Sequence, residues 1–197
     1  FCFSDKPVWK PKKTGKFYTP EQVFEGLAKS ARKHGHKLIS ASASEGTIGR
    51  EHLFELLDLV EGSEFIYILE TNGMMLGHDK ELAEQLAKYK KLHVRLSIKG
   101  THAEEYHRLT GATEKSYELP FIGLQNLMET GVSCNACVMI SFSSDENIQK
   151  VRQKLYNIRP GLLKSLELER ITLFPKVAQR LNTEGLKAVH VSKRKKS

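Results

Sequence analysis

The side chains here with the strongest chemistry are three cysteines and one run of small residues. Cys134 and Cys137 stand in the spacing CxxC, which in a loop holds a metal or runs redox chemistry. They fall in "SCNACVMIS", a run of strand character, and residues three apart on a strand point to opposite faces. They read as two separate buried thiols, with Cys137 on the inner face, rather than as a shared ligand pair. Cys2 lies between Phe1 and Phe3, ahead of the first expected helix and followed by polar and basic residues. An odd cysteine count does not suggest a disulfide framework and fits a reducing compartment.

The run of small residues is "SASEGTIGRE", which follows a strand pattern and opens a helical one. Small side chains let a ligand approach the backbone, and a helix start offers unpaired N–H groups to a carboxylate or phosphate. The run lacks the Lys of a Walker loop and the glycine spacing of a dinucleotide fingerprint. It also lacks the GxSxG of a nucleophile elbow. His52 and His93 stand alone and read as structural or solvent-facing.

These residues need elements to position them. Thr19-Pro20-Glu21 is an N-cap, a first-turn Pro and a first-turn acid, so a helix runs from there to His34. Strand patterns follow at "KLISASA", "EFIYILE", "LHVRLSIK", "SCNACVMIS" and "LELERITLF". Helical patterns separate them at "REHLFELLDLV", from about Asp79 to Tyr89, from His102 to Thr130 with a break near Gly111, and from Asp145 to Tyr156. Five strands each separated by helix imply parallel β/α units with right-handed crossovers.

A parallel sheet covered on both sides is apolar on both faces, and several of these strands are not. In "HVRLSIK", Val94, Leu96 and Ile98 point one way while His93, Arg95, Ser97 and Lys99 point the other. "SCNACVMIS" sets Ser133, Asn135, Cys137, Met139 and Ser141 on one face, and "LISAS" puts Ser40 and Ser42 beside Leu38. A curved β/α sheet with helices outside and a semi-polar lumen accounts for all three. A sheet with one face in water is the alternative, but that arrangement suits antiparallel strands. An open doubly wound sheet binding a nucleotide fits the polar faces less well. In β/α barrels chemistry sits at the C-terminal strand ends, here 42–47, 70–73, 97–101, 141–144 and Phe174.

The 197 residues carry 31 Lys plus Arg against 23 Asp plus Glu, a formal charge of +8. The excess lies at the ends: 1–18 hold five Lys against Asp5 alone, and 187–197 hold five basic residues and no acid. Basic ends on a near-neutral body are more often solvated tails than a nucleic-acid face. The expected organisation is one domain over 1–186 and a basic tail over 187–197. No apolar run approaches the roughly 20 residues that span a bilayer, and the start lacks the apolar core of a signal peptide, so a cytoplasmic protein without membrane partners is expected.

Taken in order, "FCFS", "SASEGT" after a strand, "ETNG" after the next, "VRLSIKGT" and "VMISFS" resemble a radical S-adenosylmethionine (radical SAM) enzyme. That family carries CxxxCxxC, usually with an aromatic before the last Cys, as in "FC" here. Its Gly-Gly-Glu-Pro landmark falls on Ala43-Ser44-Glu45-Gly46, where only the Glu is kept. The resemblance implies a partial TIM-like (β/α)6 barrel with about five of six units present, the chain starting just inside the cluster loop. It implies a 4Fe-4S cluster with Cys2 as its third ligand, and S-adenosylmethionine cleaved to a 5'-deoxyadenosyl radical that abstracts hydrogen from an unknown substrate. Carried over by position, Glu45 and the backbone of Ala43 and Ser44 meet the methionine amino group, and Asn72 is a further polar contact. Ser97 meets the ribose or carboxylate, Arg95 pairs with the carboxylate, and Met139 and Ser141 approach the adenine. An electron donor such as flavodoxin or ferredoxin is implied as a partner. A noncatalytic β/α domain binding an anionic partner such as nucleic acid is the alternative.

Overall fold

The structure, a computed structural model, describes residues 10–42 and 44–192. After one helical turn, α1 (Pro11–Thr14), helix α2 (Pro20–His34) begins with a capping box. Thr19 Oγ accepts from the Gln22 N–H and the Gln22 side chain accepts from the Thr19 N–H. Two of the orphan N–H groups of the helix start are thereby satisfied. Gly35, at φ 70°, ends α2 in the left-handed conformation.

Five strands follow: β1 (Leu38–Ile39), β2 (Ile66–Thr71), β3 (Leu92–Lys99), β4 (Cys134–Met139) and β5 (Glu167–Glu169). They pair in sequence order, every pair parallel. Helix α3 (Arg50–Glu61) crosses from β1 to β2, α4 (Met74–His78) and α5 (Lys80–Leu86) from β2 to β3, and α6 (Ala103–Thr110) and α7 (Leu119–Glu129) from β3 to β4. Helix α8 (Asp145–Ile158) then leads to β5, and α9 (Pro175–Thr183) follows it. Sequential order with repeated crossovers of one hand wraps the sheet instead of winding it both ways. The result is a curled half-barrel with helices outside, the expected partial TIM-like fold.

The strand alternation is as expected for β3: Val94, Leu96 and Ile98 are fully buried under the helices, while His93, Arg95, Ser97 and Lys99 are half-buried on the inner face. In β4 the inner residues are buried too, because Arg95 and its partners cover Asn135 and Cys137.

Four elements differ from expectation. β1 is only two residues long, and β5 only three, with Ile171 bridging separately to Val191. The helix expected from Asp79 begins earlier, as α4, and Asp79 divides it from α5: its backbone is extended and its carboxylate caps the Glu81 N–H. The basic tail expected from residue 187 is docked over 187–192. The N–H groups of Val189 and His190 both donate to Ser141 O, that of Ser192 donates to Ile171 O, and Ala188 packs on a small core of Phe142, Ile171, Val177 and Leu181. Backbone pairing, which net charge does not report, holds this segment to the sheet. Residues 193–197 lie outside the described residues.

Helix α4 exists because it lies almost in contact with α7. A Cβ on Gly77 would stand 2.0 Å from Leu119 O, and one on Gly123 2.8 Å from Gly73 O. Both obstacles are backbone and cannot rotate away. Gly77→Ala is expected to lower stability by about 3 kcal/mol, at the upper end for overpacked sites, read as a reduced urea midpoint with unchanged slope.

Candidate functional site

The C-terminal end of β1 leads into a loop whose centre is Glu45. Its Oε1 accepts from Thr47 Oγ1 (2.7 Å), Thr71 Oγ1 (2.7 Å) and the Thr47 N–H (3.3 Å), and its Oε2 accepts from the Asn72 N–H (2.7 Å). One carboxylate thus ties the first rim loop to the end of β2. Asn72 Oδ1 in turn accepts from the Met74 N–H, and Thr71 Oγ1 accepts from the Gly73 N–H, so the "ETNG" turn is fixed to the same residue. Gly73 sits at φ 75°, a conformation that disfavours any side chain. Ser44 is exposed beside this clamp.

Below the rim, the inner face is organised by Arg95. Its Nε donates to both oxygens of Glu167 (3.3 and 3.2 Å), Nη2 to Glu167 Oε2 (2.7 Å) and Glu169 Oε1 (2.8 Å), and Nη1 to Glu70 Oε1 (3.1 Å). Glu70 is on β2 and the other two are on β5, so one guanidinium spans four strands, which the sheet's curl makes possible. Asn135 Nδ2 also donates to Glu167 Oε1 (2.8 Å), and His93 Nε2 lies 3.0 Å from Asn135 Oδ1. The bonds to Glu167 hold Arg95 firmly charged against the cost of burial, and the Glu167 carboxyl sits below its usual range chiefly because Arg95 donates to it. Burial pushes the thiol of Cys137, under this network, up to about 12, and that of Cys134, facing the helices, up to about 11.

The expected carboxylate role for Arg95 therefore meets a side chain already taken by three acids. Lys99, two residues nearer the rim, is less committed: its ammonium donates to Ser97 Oγ and stands 3.6 Å from Glu169 Oε2. Register places Lys99, Met139 and Glu169 side by side across β3, β4 and β5, one row below the rim. Glu70 Oε2 has no hydrogen-bond partner among the described residues. Met139 is 8% exposed in this row. Ser141 lies beyond the end of β4, completely buried, with its Oγ accepting from the Ile171 N–H (2.7 Å). The structure thus brings Glu45 and Asn72 together on one side of the rim, sets Ser97 and Met139 on the inner face, and turns Ser141 away into the packing of the last segment. Cys2 and Ala43 lie outside the described residues.

Glu167 and Glu169 were not among the site residues expected, and Glu70 and Lys99, within the expected strand-end stretches 70–73 and 97–101, carried no expected role. A signal for them exists in the alternation: Glu167 and Glu169 are two apart on a strand and share a face, and Glu70 occupies the inner register beside Arg95.

A family model of the radical SAM superfamily matches residues 1–155. The chain belongs to the radical SAM superfamily. Solved structures with the same fold include SuiB of Streptococcus suis bound to S-adenosylmethionine (18% identity, TM-score 0.59, covering 79% of this chain and 33% of that one). SuiB bound to the precursor peptide SuiA is similar at 16% identity and TM-score 0.60, over 88% of this chain and 42% of that one. Native anSMEcpe with AdoMet and the Cp18Cys peptide is similar at 19% identity and TM-score 0.57, over 80% and 45%. The chain thus spans less than half the length of each. No curated protein matches its sequence significantly.

Superfamily membership implies S-adenosylmethionine and an iron-sulfur cluster. The inner face fits the first: it offers a lysine to a carboxylate, and the unpartnered Glu70 Oε2 to an ammonium or sulfonium. For the second, the described residues contain no group of three His, Cys, Asp or Glu able to hold a metal, and Cys2, the ligand expected from the resemblance, lies outside them. Among them, too, no helix is long and apolar enough to cross a membrane.

Proposed function

We propose that the chain is the S-adenosylmethionine-binding part of a radical enzyme, with the cofactor lying across the rim between the Glu45 clamp and the Lys99–Met139–Glu169 row. The observation that carries this reading is the contrast between the two inner cations: Arg95 is saturated by Glu70, Glu167 and Glu169, while Lys99 keeps protons to donate. In this reading Lys99 receives the methionine carboxylate. Glu70 and Glu169 supply the opposite charge for the ammonium and sulfonium, and Ser97 orients either the carboxylate or the ribose. Glu45 acts by fixing its loop against Asn72, and Met139 offers an apolar surface to the adenine. Bound there, the cofactor supplies radical hydrogen abstraction, while the protein supplies position and shelter from water.

Because SuiB and anSMEcpe are each solved with a peptide, we extend the reading to a polypeptide substrate, with a carrier such as flavodoxin or ferredoxin delivering the electron. The free thiols of Cys134 and Cys137 suit a reducing, cytoplasmic setting.

Titration calorimetry of the chain with S-adenosylmethionine tests the site. Lys99→Met is expected to weaken binding about tenfold or more, the loss of one charge-assisted contact, with an unchanged unfolding midpoint. Absence of binding to the parent chain, or equal binding by the variant, would contradict it.

A further inference from the structure

Beside the Glu45 loop, the rim carries an exposed apolar patch with a basic border. Phe17 is 84% exposed, Ile48 76% and Tyr18 58%. They flank the starts of α2 and α3: Phe17 and Tyr18 lie just ahead of α2, Ile48 lies in the turn that leads into α3, and His52, in the first turn of α3, has its Nε2 3.1 Å from Tyr18 O, which brings the two starts together. That turn also contains Thr47, which bonds Glu45, so the patch adjoins the candidate site. On the N-terminal side, residues 10–18 hold Lys10, Lys12, Lys13 and Lys16, all exposed, and no acid. Glu21 and Glu51, also exposed, bound the patch on the helix side, so its basic field has a direction.

Single exposed apolar residues are ordinary, and lysine runs are commonly solvated. Three exposed large apolar side chains beside one rim, with four like charges on their N-terminal side, call for an occupant with apolar groups at its centre and negative charge on one flank. We propose that this patch docks an acidic polypeptide segment, delivering it to the adjoining site. The inference rests on the polypeptide-substrate reading above and adds which face captures the chain and what sequence it selects. Phe17 and Tyr18 each offer a ring on which a base can stack, so the choice of a polypeptide over nucleic acid rests on the kind of cation present. No arginine, the side chain that grips phosphate through two bonds, occurs in 10–18.

Fluorescence anisotropy with the full chain tests this, using a labelled peptide in which Leu and Phe follow a block of Glu, a charge-reversed copy, and an oligouridine. The acidic peptide is expected to bind, to weaken as salt rises, and to lose about tenfold or more in affinity in Phe17→Ser/Ile48→Ser and in Lys12→Glu/Lys13→Glu. All the altered side chains are exposed, so thermal midpoints and S-adenosylmethionine binding should match the parent, which separates failure here from failure of the cofactor site. Indifference to either double variant, equal binding of the charge-reversed peptide, tighter binding of oligouridine, or self-association that consumes the patch would overturn the proposal.

Discussion

Arg95→Met is expected to be among the most destabilising substitutions in the sheet, lowering unfolding free energy by about 2–3 kcal/mol. Removing one partner of a buried ion pair costs about 3–5 kcal/mol, because the other charge stays buried and unpaired. The lower figure applies here because Glu167 is 48% exposed and Glu70 38%, so water recovers part of the loss, whereas Glu169 at 22% is more enclosed. Arg95→Lys should recover little, since a point charge cannot reach both β2 and β5 at once.

The pH profile identifies the cause. Glu167 has a folded pKa below its unfolded one, so the stability it contributes is present above the ordinary carboxylate range of about 4 and is lost as pH falls through the lower folded value. The parent should lose stability on acidification through that window. In Arg95→Met the loss should flatten, because the acids gain by protonating. Equal acid sensitivity in both proteins would show that the guanidinium does not hold these carboxylates.

Much of the fold was legible because the sheet alternates cleanly. "HVRLSIK" alone separates a helix-facing row from a lumen-facing one, and Arg95, Ser97 and Lys99 lie where that pattern places them. What the pattern leaves open is who partners whom. Arg95 sits on the right face for a carboxylate, but which carboxylate depends on how far the sheet curls, a tertiary property. Ser141 shows a second limit: alternation applies only within a strand, and β4 ends at Met139, so the hydroxyl two residues later turns to Ile171. Helix α4 was hidden because five residues are too few to show a helical period, and its existence depends on Gly77 meeting α7. Glu45 was legible as a site residue, but its bonds to Thr71 and Asn72 join segments 26 and 27 residues apart.

That joining makes Glu45 the residue whose loss should reach furthest. Glu45→Ala removes the acceptor for two hydroxyls and two backbone N–H groups, at roughly 1–3 kcal/mol for each buried donor left without a partner. Relaxation and water entry into a half-buried site reduce the sum, so about 3 kcal/mol is expected. Glu45→Gln discriminates further. The amide keeps one oxygen but turns an N–H group toward either the Asn72 N–H or the Thr47 and Thr71 hydroxyls, so it should cost less, about 1 kcal/mol, while still slackening one side of the clamp. Hydrogen exchange should show faster exchange at Asn72 in both variants, and S-adenosylmethionine should bind at least about tenfold more weakly to Glu45→Ala. Weak cofactor binding together with slow Asn72 exchange would assign Glu45 to direct ligand contact. Fast exchange with normal binding would make the clamp a purely structural tie, because the ligand would then be indifferent to the loop's release.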